Sequence, residues 1–129
     1  MSRALIVEDN ATFRQMLKEI LLDRFPEMQI AEDQDGSEII EEIEMFRPDI
    51  VFMDIRLPAE NGLDLARKVK ARHPEIKVVI LTSYDLPEYR EAARQSKADD
   101  FVTKDSPTQD FLRLVEFMLS PVSQPKAQS

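Results

Sequence analysis

The sequence predicts an α/β fold in which five parallel strands alternate with five helices. Short apolar runs recur at even spacing, segments of helical periodicity separate them, and several runs are almost continuously apolar. Continuous apolar runs are typical of parallel strands that helices cover on both faces. The regular alternation therefore predicts one sheet with right-handed crossovers.

Five short apolar runs are the strand candidates. They cover residues 4–7, 30–31, 50–53, 78–81 and 101–102. Apolar side chains at three- and four-residue steps predict five helices, one after each strand. The apolar stripes are Phe13, Met16, Leu17, Ile20 and Leu21; Ile39, Ile40, Ile43 and Phe46; Leu63, Leu65, Ala66 and Val69; Leu86, Tyr89, Ala92 and Ala93; and Phe111, Leu114, Val115 and Met118.

Four prolines lie where this alternation predicts that a helix ends or begins. Pro48 and Pro74 follow the second and third helices, since a proline cannot continue a helix. Pro87 and Pro107 fit the first turns of the fourth and fifth helices, where a missing N–H costs little.

The composition limits the architecture and the classes of function. A chain of 129 residues with 43% apolar residues suits a single domain, predicted to span residues 1–120, with a linker or disordered tail at residues 121–129. The net charge of −8 argues against nucleic-acid binding by this domain. The sequence has no cysteine and one histidine, His73, which excludes thiolate and multi-histidine metal sites.

Two features bear on location. No apolar run reaches membrane-spanning length, and the first strand candidate begins at residue 4. We therefore expect a cytoplasmic protein without a membrane segment or a signal peptide.

Carboxylates follow two of the buried strands, at the point where each strand ends. Glu8 and Asp9 come after the first strand, and Asp54 comes after the third. Like charges at a buried edge repel, so this set is expected to surround a cation, a phosphoryl group or both. Oxygen ligands without histidine or cysteine suit Mg²⁺ or Mn²⁺. A simpler interpretation, open at this point, is that Asp9 and Asn10 cap the first helix.

Asp54 is the candidate nucleophile. A carboxylate can attack phosphorus and form an acyl phosphate when a metal ion neutralises charge. Thr82 follows the fourth strand and Lys104 the fifth, so a hydroxyl and an ammonium group reach the same edge of the sheet. Each of these residues alone is ordinary at a strand end, but the ordered set indicates phosphoryl chemistry.

This ordered set resembles the receiver domain of bacterial two-component response regulators. Residues 4–10 (ALIVEDN), 52–58 (FMDIRLP) and 79–83 (VILTS) are similar to motifs of that family. The resemblance covers nearly the whole predicted domain. It implies a flavodoxin-like, doubly wound sheet with strand order 2-1-3-4-5.

The resemblance also implies roles for the site residues. Asp54 would accept a phosphoryl group from a sensor histidine kinase or a phosphotransfer protein. Thr82 and Lys104 would contact the phosphoryl oxygens. The implied ligands of Mg²⁺ are Glu8, Asp9, Asp54 and the backbone carbonyl of Arg56.

A phosphorylation-activated signalling switch is the implied function. Thr82 would move inward and Phe101 would turn from exposed to buried, which repacks the surface of helix four, strand five and helix five. That surface would bind partners. Whether two copies of the chain form a homodimer through it stays open. Such a domain catalyses only its own phosphorylation and dephosphorylation, so we do not expect an enzyme that acts on external substrates.

The sequence departs from the family pattern near the site. Asp105 follows Lys104 where a proline with a cis bond is common, which leaves the geometry of this peptide bond open. The aromatic switch residue is Phe101, which has no hydroxyl. Arg56 and Tyr84, two residues beyond Asp54 and Thr82, are large, and we expect them to hinder water and prolong the phosphorylated state.

Three other hypotheses compete with that of a phosphorylation-activated signalling switch. A phosphatase of haloacid-dehalogenase type needs a second aspartate where Arg56 stands. A flavodoxin-like cofactor binder needs a phosphate-binding loop where Glu8 and Asp9 would repel a phosphate. A degenerate receiver that acts only as a scaffold would lack some of the key residue types, but all of them are present in this sequence. The sequence leaves open whether the domain acts alone or belongs to a longer regulator with an effector domain.

Overall fold

The computed structural model describes residues 2–120 and contains the ten predicted elements in the predicted order. The strands are β1 (Arg3–Val7), β2 (Gln29–Asp33), β3 (Ile50–Met53), β4 (Lys77–Thr82) and β5 (Asp100–Thr103). The helices are α1 (Ala11–Arg24), α2 (Ile39–Phe46), α3 (Gly62–Arg72), α4 (Pro87–Gln95) and α5 (Thr108–Leu119). The linker or tail predicted for residues 121–129 lies outside the described residues.

The five strands form one parallel sheet in the order β2-β1-β3-β4-β5, which confirms the expected topology. The register places Val7 of β1 opposite Met53 of β3. The next residues, Glu8 and Asp54, therefore leave two neighbouring strands at the same level. Both lie at the carboxyl edge of the sheet, where ligands bind in folds of this class.

The core consists of two apolar layers, one on each face of the sheet. Alternate residues of the strands point to opposite faces, so β1 contributes Leu5 and Val7 to one layer and Ala4 and Ile6 to the other. Helices α2, α3 and α4 cover the first layer, while α1 and α5 cover the second. Burial on both faces explains the continuous apolar runs within β1, β3 and β4.

Asparagine side chains cap the two helices that follow the acidic strands. Asn10 Oδ1 accepts the Phe13 N–H of α1 at 2.9 Å, and Asn61 Oδ1 accepts the Leu63 N–H of α3 at 2.7 Å. The capping interpretation is thus correct for Asn10, which is the N-cap of α1, whereas Asp9 lies one residue before it.

Three local features refine the sequence predictions. Pro87 occupies the first turn of α4 as expected, but Pro107 is the N-cap of α5 and precedes its first turn. Leu86, which the sequence assigned to the apolar stripe of α4, is instead the N-cap of this helix and is 42% exposed. Ala93 is the only buried residue of α4. The peptide bond between Lys104 and Asp105 is trans, as are all others within residues 2–120.

None of the helices within residues 2–120 has the length and apolar character required to cross a membrane.

Candidate functional site

Three carboxylates meet at the ends of β1 and β3. Glu8 is 3% exposed, Asp54 is 8% exposed and Asp9 is exposed. One oxygen from each lies within 4.8 Å of the others, so the three side chains could hold a metal ion. The donor set consists of carboxylate oxygens only, which fits a hard divalent cation such as Mg²⁺ or Mn²⁺.

Lys104 reaches this cluster from the loop after β5. Its Nζ donates to Glu8 Oε1 at 2.7 Å and to Asp54 Oδ2 at 3.1 Å. Its backbone N–H donates to the Thr82 carbonyl at 2.8 Å, which anchors the loop to the end of β4. A single ammonium group therefore bridges the predicted nucleophile and a predicted metal ligand.

The electrostatics reflect this crowding. Burial raises the pKa of Glu8, and the charge of Asp54 adds to it, although hydrogen bonds from Lys104 and Asn10 oppose the rise. Burial alone would lower the pKa of Lys104, but its hydrogen bonds with Glu8 and Asp54 and their charges raise it. Lys104 thus remains a cation at the site over the whole physiological range.

The loop after β3 fixes the orientation of Asp54. The Ile55 N–H donates to Asp54 Oδ1 at 2.7 Å, which leaves Oδ2 to Lys104. Gly62 packs directly against this turn, and its N–H donates to the Ile55 carbonyl at 2.7 Å. A Cβ atom at position 62 would lie 1.8 Å from the Asp54 carbonyl oxygen, so the close approach requires glycine.

Thr82 is fully buried at the end of β4. Its Oγ1 accepts the Tyr84 N–H at 3.3 Å, so the hydroxyl is tied to the loop that leads into α4. Thr82 and Lys104 are joined through the backbone hydrogen bond described above. The sequence prediction that both residues reach the carboxyl edge beside Asp54 is consistent with these positions.

Arg56 and Tyr84 contact each other across the edge of the site. The Arg56 guanidinium lies 3.9 Å from the centroid of the Tyr84 ring, and the Tyr84 ring meets Tyr89 of α4 edge-on at 6.4 Å. A hydrogen bond with Tyr89 is the main cause that raises the pKa of Arg56. The sequence identified Arg56 and Tyr84 but assigned Tyr89 only to an apolar stripe, because helical periodicity does not reveal which loop a ring reaches.

Phe101 lies in β5 and is partly buried. The Arg90 guanidinium of α4 covers its ring at 4.7 Å from the centroid. Arg90 Nε in turn donates to Asp85 Oδ1 at 2.5 Å, in the loop between β4 and α4. The predicted switch residue is therefore connected through one arginine to the loop that follows Thr82.

The family comparison agrees with this geometry. A family model described as the response regulator receiver domain matches residues 4–116. The chain belongs to this receiver domain family. Membership of the receiver domain family argues against the phosphatase and cofactor-binder hypotheses. Arg56, which stands where the phosphatase would need a second aspartate, is an independent argument against the phosphatase.

Individual relatives are regulatory proteins. The chain is 31% identical over 118 residues to the transcriptional regulatory protein PdtaR of Mycobacterium tuberculosis, covering 92% of this chain and 57% of that protein. It is 32% identical over 101 residues to the transcriptional regulatory protein DegU of Brevibacillus brevis, covering 78% of this chain and 42% of that protein. The chain thus spans about half the length of these relatives.

Solved structures of receiver domains match the chain over nearly its full length. The BeF3-activated N-terminal receiver domain of Klebsiella pneumoniae RstA superimposes with a TM-score of 0.84 at 25% identity, covering 92% of this chain and 99% of that one. A CheY-like receiver domain protein of Methanospirillum hungatei JF-1 gives 0.81 at 25% identity, covering 90% and 91%. These matches confirm the flavodoxin-like, doubly wound fold.

Proposed function

We propose that this protein is a phosphorylation-activated switch whose phosphoacceptor is Asp54. The supporting observation is a cluster of three carboxylates, two of which share one mostly buried lysine side chain, so negative charge remains that Lys104 alone does not balance. Glu8, Asp9, Asp54 and the backbone carbonyl of Arg56 would hold Mg²⁺ or Mn²⁺. When bound, the ion would neutralise charge on the phosphoryl group and on Asp54.

The reaction transfers a phosphoryl group from a phosphohistidine to Asp54. A carboxylate oxygen forms the new P–O bond while the P–N bond breaks, and the imidazole nitrogen keeps the electron pair. Lys104 donates to a phosphoryl oxygen, in place of one of its present carboxylate contacts, and the Thr82 hydroxyl donates to another. Water later cleaves the acyl phosphate and releases inorganic phosphate, so the protein acts only on its own modification.

The modified state would be relayed through the loop between β4 and α4. Thr82 would move inward to donate to a phosphoryl oxygen, and because its Oγ1 accepts the Tyr84 N–H, this movement would be passed to the loop. The same loop carries Asp85, which holds Arg90 over Phe101. A shift of the loop would therefore reposition the cover of Phe101 and repack the surface formed by α4, β5 and α5. Its α4 buries only Ala93, which suits an element that rearranges.

The partners belong to the same proposal. A sensor histidine kinase or a phosphotransfer protein would supply the phosphoryl group, and the surface of α4, β5 and α5 would bind the next component or a second copy. We also propose that the protein is cytoplasmic and that its receiver domain ends near residue 120. An effector function, such as the transcriptional regulation named for the relatives, would require a further domain.

Acetyl phosphate provides a direct test of the phosphoacceptor. With Mg²⁺ present, we expect intact-protein mass spectrometry to find one added, base-labile phosphoryl group on the wild type and none on Asp54→Ala. Asp23→Ala, at an exposed position of α1, is the matched control and should be modified like the wild type. An unmodified wild type, or an Asp54→Ala variant modified to the same extent, would overturn the proposal.

A further inference from the structure

Lys104 has a third neighbour besides its two carboxylates. Its Nζ lies 4.4 Å from the centroid of the Phe13 ring, within the range of a cation–π interaction. The Lys104 side chain is only 15% exposed, so little water competes for the ammonium group. The face of an aromatic ring is electronegative and attracts a cation, most strongly where water is scarce.

Hydrogen bonds connect the backbone of Phe13 to the site. The Phe13 N–H donates to Asn10 Oδ1 at 2.9 Å, and the Asn10 N–H donates to Glu8 Oε2 at 3.0 Å. Glu8 Oε1 then accepts from Lys104 at 2.7 Å. Glu8, Asn10, Phe13 and Lys104 thus form a closed circuit of contacts, in which the cap of α1 holds the backbone of Phe13 near Glu8 and the ring lies against Lys104.

We propose that Phe13 is a positioning residue that keeps Lys104 directed at the phosphoryl site when a metal ion engages Glu8 and Asp54. This role rests on the proposed function. Both carboxylates have two tasks, because each holds Lys104 now and each would ligate the ion. The Phe13 ring cannot ligate a metal, so its attraction for Lys104 persists while the carboxylates are engaged.

Apolar packing alone explains the position of Phe13 less well. Leu17 and Leu21 continue the same stripe of α1 and are 3% and 0% exposed, as expected for core residues, whereas Phe13 is only half-buried beside the site. A leucine at position 13 would preserve apolar contact with the core but not the ring face. Replacement by leucine therefore separates the two roles.

The test compares Phe13→Leu with two controls. Phe13→Tyr keeps the ring face, and Phe25→Leu removes a ring at the other end of α1 that lies 5.0 Å from the Arg24 guanidinium carbon. Mg²⁺ affinity is measured by calorimetry without a phosphodonor, and the phosphorylation rate is measured with acetyl phosphate at saturating Mg²⁺. For Phe13→Leu we expect a rate about 3- to 10-fold lower with Mg²⁺ affinity not weakened. Both controls should keep the wild-type rate within about two-fold.

The outcomes separate a positioning role from a structural one. An unchanged rate in Phe13→Leu would overturn the proposal, as would a parallel loss of Mg²⁺ affinity, because disturbed packing of α1 would displace Glu8 and Asp9. An equal loss in Phe25→Leu would overturn it too.

A wild type that takes up no phosphoryl group would overturn the proposed function and, with it, the role of Phe13. The contact itself is tested independently by NMR. Ring currents should shift the ε-methylene protons of Lys104 upfield in the wild type and not in Phe13→Leu. Unshifted protons in the wild type would contradict the contact.

Discussion

Two lysines with mostly buried side chains lie at opposite edges of the sheet, and their surroundings differ in charge. Lys70 of α3 lies at the amino edge, where Nζ donates to the Pro74 and Ile76 carbonyls at 3.0 and 2.8 Å and to Asp99 Oδ2 at 2.9 Å. These contacts use all three N–H donors, and one carboxylate balances one ammonium group. Lys104 at the carboxyl edge donates to two carboxylates instead, Glu8 and Asp54, and a third carboxylate, Asp9, lies beside these two.

The contrast is between a lysine whose charge one carboxylate balances and a lysine that lies in a cluster of carboxylates. The side chains of Lys70 and Lys104 are 11% and 15% exposed, so burial does not separate them. The balance of charge does, because the pair of Lys70 and Asp99 is neutral and hydrogen-bonded, whereas the carboxyl edge keeps a surplus of negative charge. A surplus held in a folded protein indicates that a further cation or an electrophile completes the site.

The largest expected effect is on the rate of phosphorylation in Lys104→Met. Loss of a donor to the transferred group should slow phosphorylation by acetyl phosphate about 100- to 1,000-fold. Lys70→Met is the matched control and should be phosphorylated at nearly the wild-type rate under conditions where it is folded. Equal rates for the two variants would remove the functional distinction between the two lysines.

The second prediction concerns stability, which we expect to fall when Lys70 is replaced. Lys70→Met leaves Asp99 with the Val78 N–H and without its cation, so we expect the free energy of unfolding to fall by about 2–4 kcal/mol. Lys68→Met, an exposed position on the same helix, should change it by less than about 0.5 kcal/mol. Urea denaturation measures both values, and similar losses for the two variants would contradict a structural role for Lys70.

The third prediction concerns Mg²⁺. A cation bound at the carboxyl edge should stabilise the folded protein by up to about 2.7 kcal/mol at 100 times its dissociation constant. We expect this gain in the wild type and in Lys70→Met, and we expect most of it to be lost in Asp9→Asn. Thermal unfolding with and without Mg²⁺ measures the difference. A gain retained in Asp9→Asn would show that the ion binds elsewhere.

The sequence predicted the carboxyl edge better than the amino edge for a physical reason. Glu8 and Asp54 directly follow apolar strands and Lys104 directly follows β5, and parallel strands bring their carboxyl ends together whatever the loops do. The partnership of Lys70 and Asp99 spans 29 residues and depends on how α3 ends, so no local pattern reveals it. Phe13 was predicted only as part of an apolar stripe, because periodicity fixes the face of a helix but not the loop that a ring reaches.

A smaller effect is expected where Arg56 and Tyr84 border the carboxyl edge. If this pair hinders water, Arg56→Ala and Tyr84→Ala should each shorten the lifetime of the phosphorylated protein by about two- to five-fold. Arg94→Ala, an exposed arginine of α4 that pairs with Glu91, serves as the control. The decay of the phosphorylated mass after removal of acetyl phosphate measures the lifetime. An equal or longer lifetime in both variants would contradict the prediction.

The smallest effect concerns a carboxylate pair that has no lysine. Asp33 Oδ2 and Glu42 Oε1 are buried, and no other described residue donates a hydrogen bond to them. Burial, followed by the hydrogen bond with Asp33 and its charge, raises the pKa of Glu42 to about 8, so a proton replaces the cation used at the carboxyl edge. The unfolded chain releases this proton near pH 4.5, so the stabilisation is complete below that value and is lost as the pH rises through about 8. Glu42→Gln, unlike Glu41→Gln at an exposed position, should flatten this loss in urea denaturation; an unchanged pH profile would contradict the shared proton.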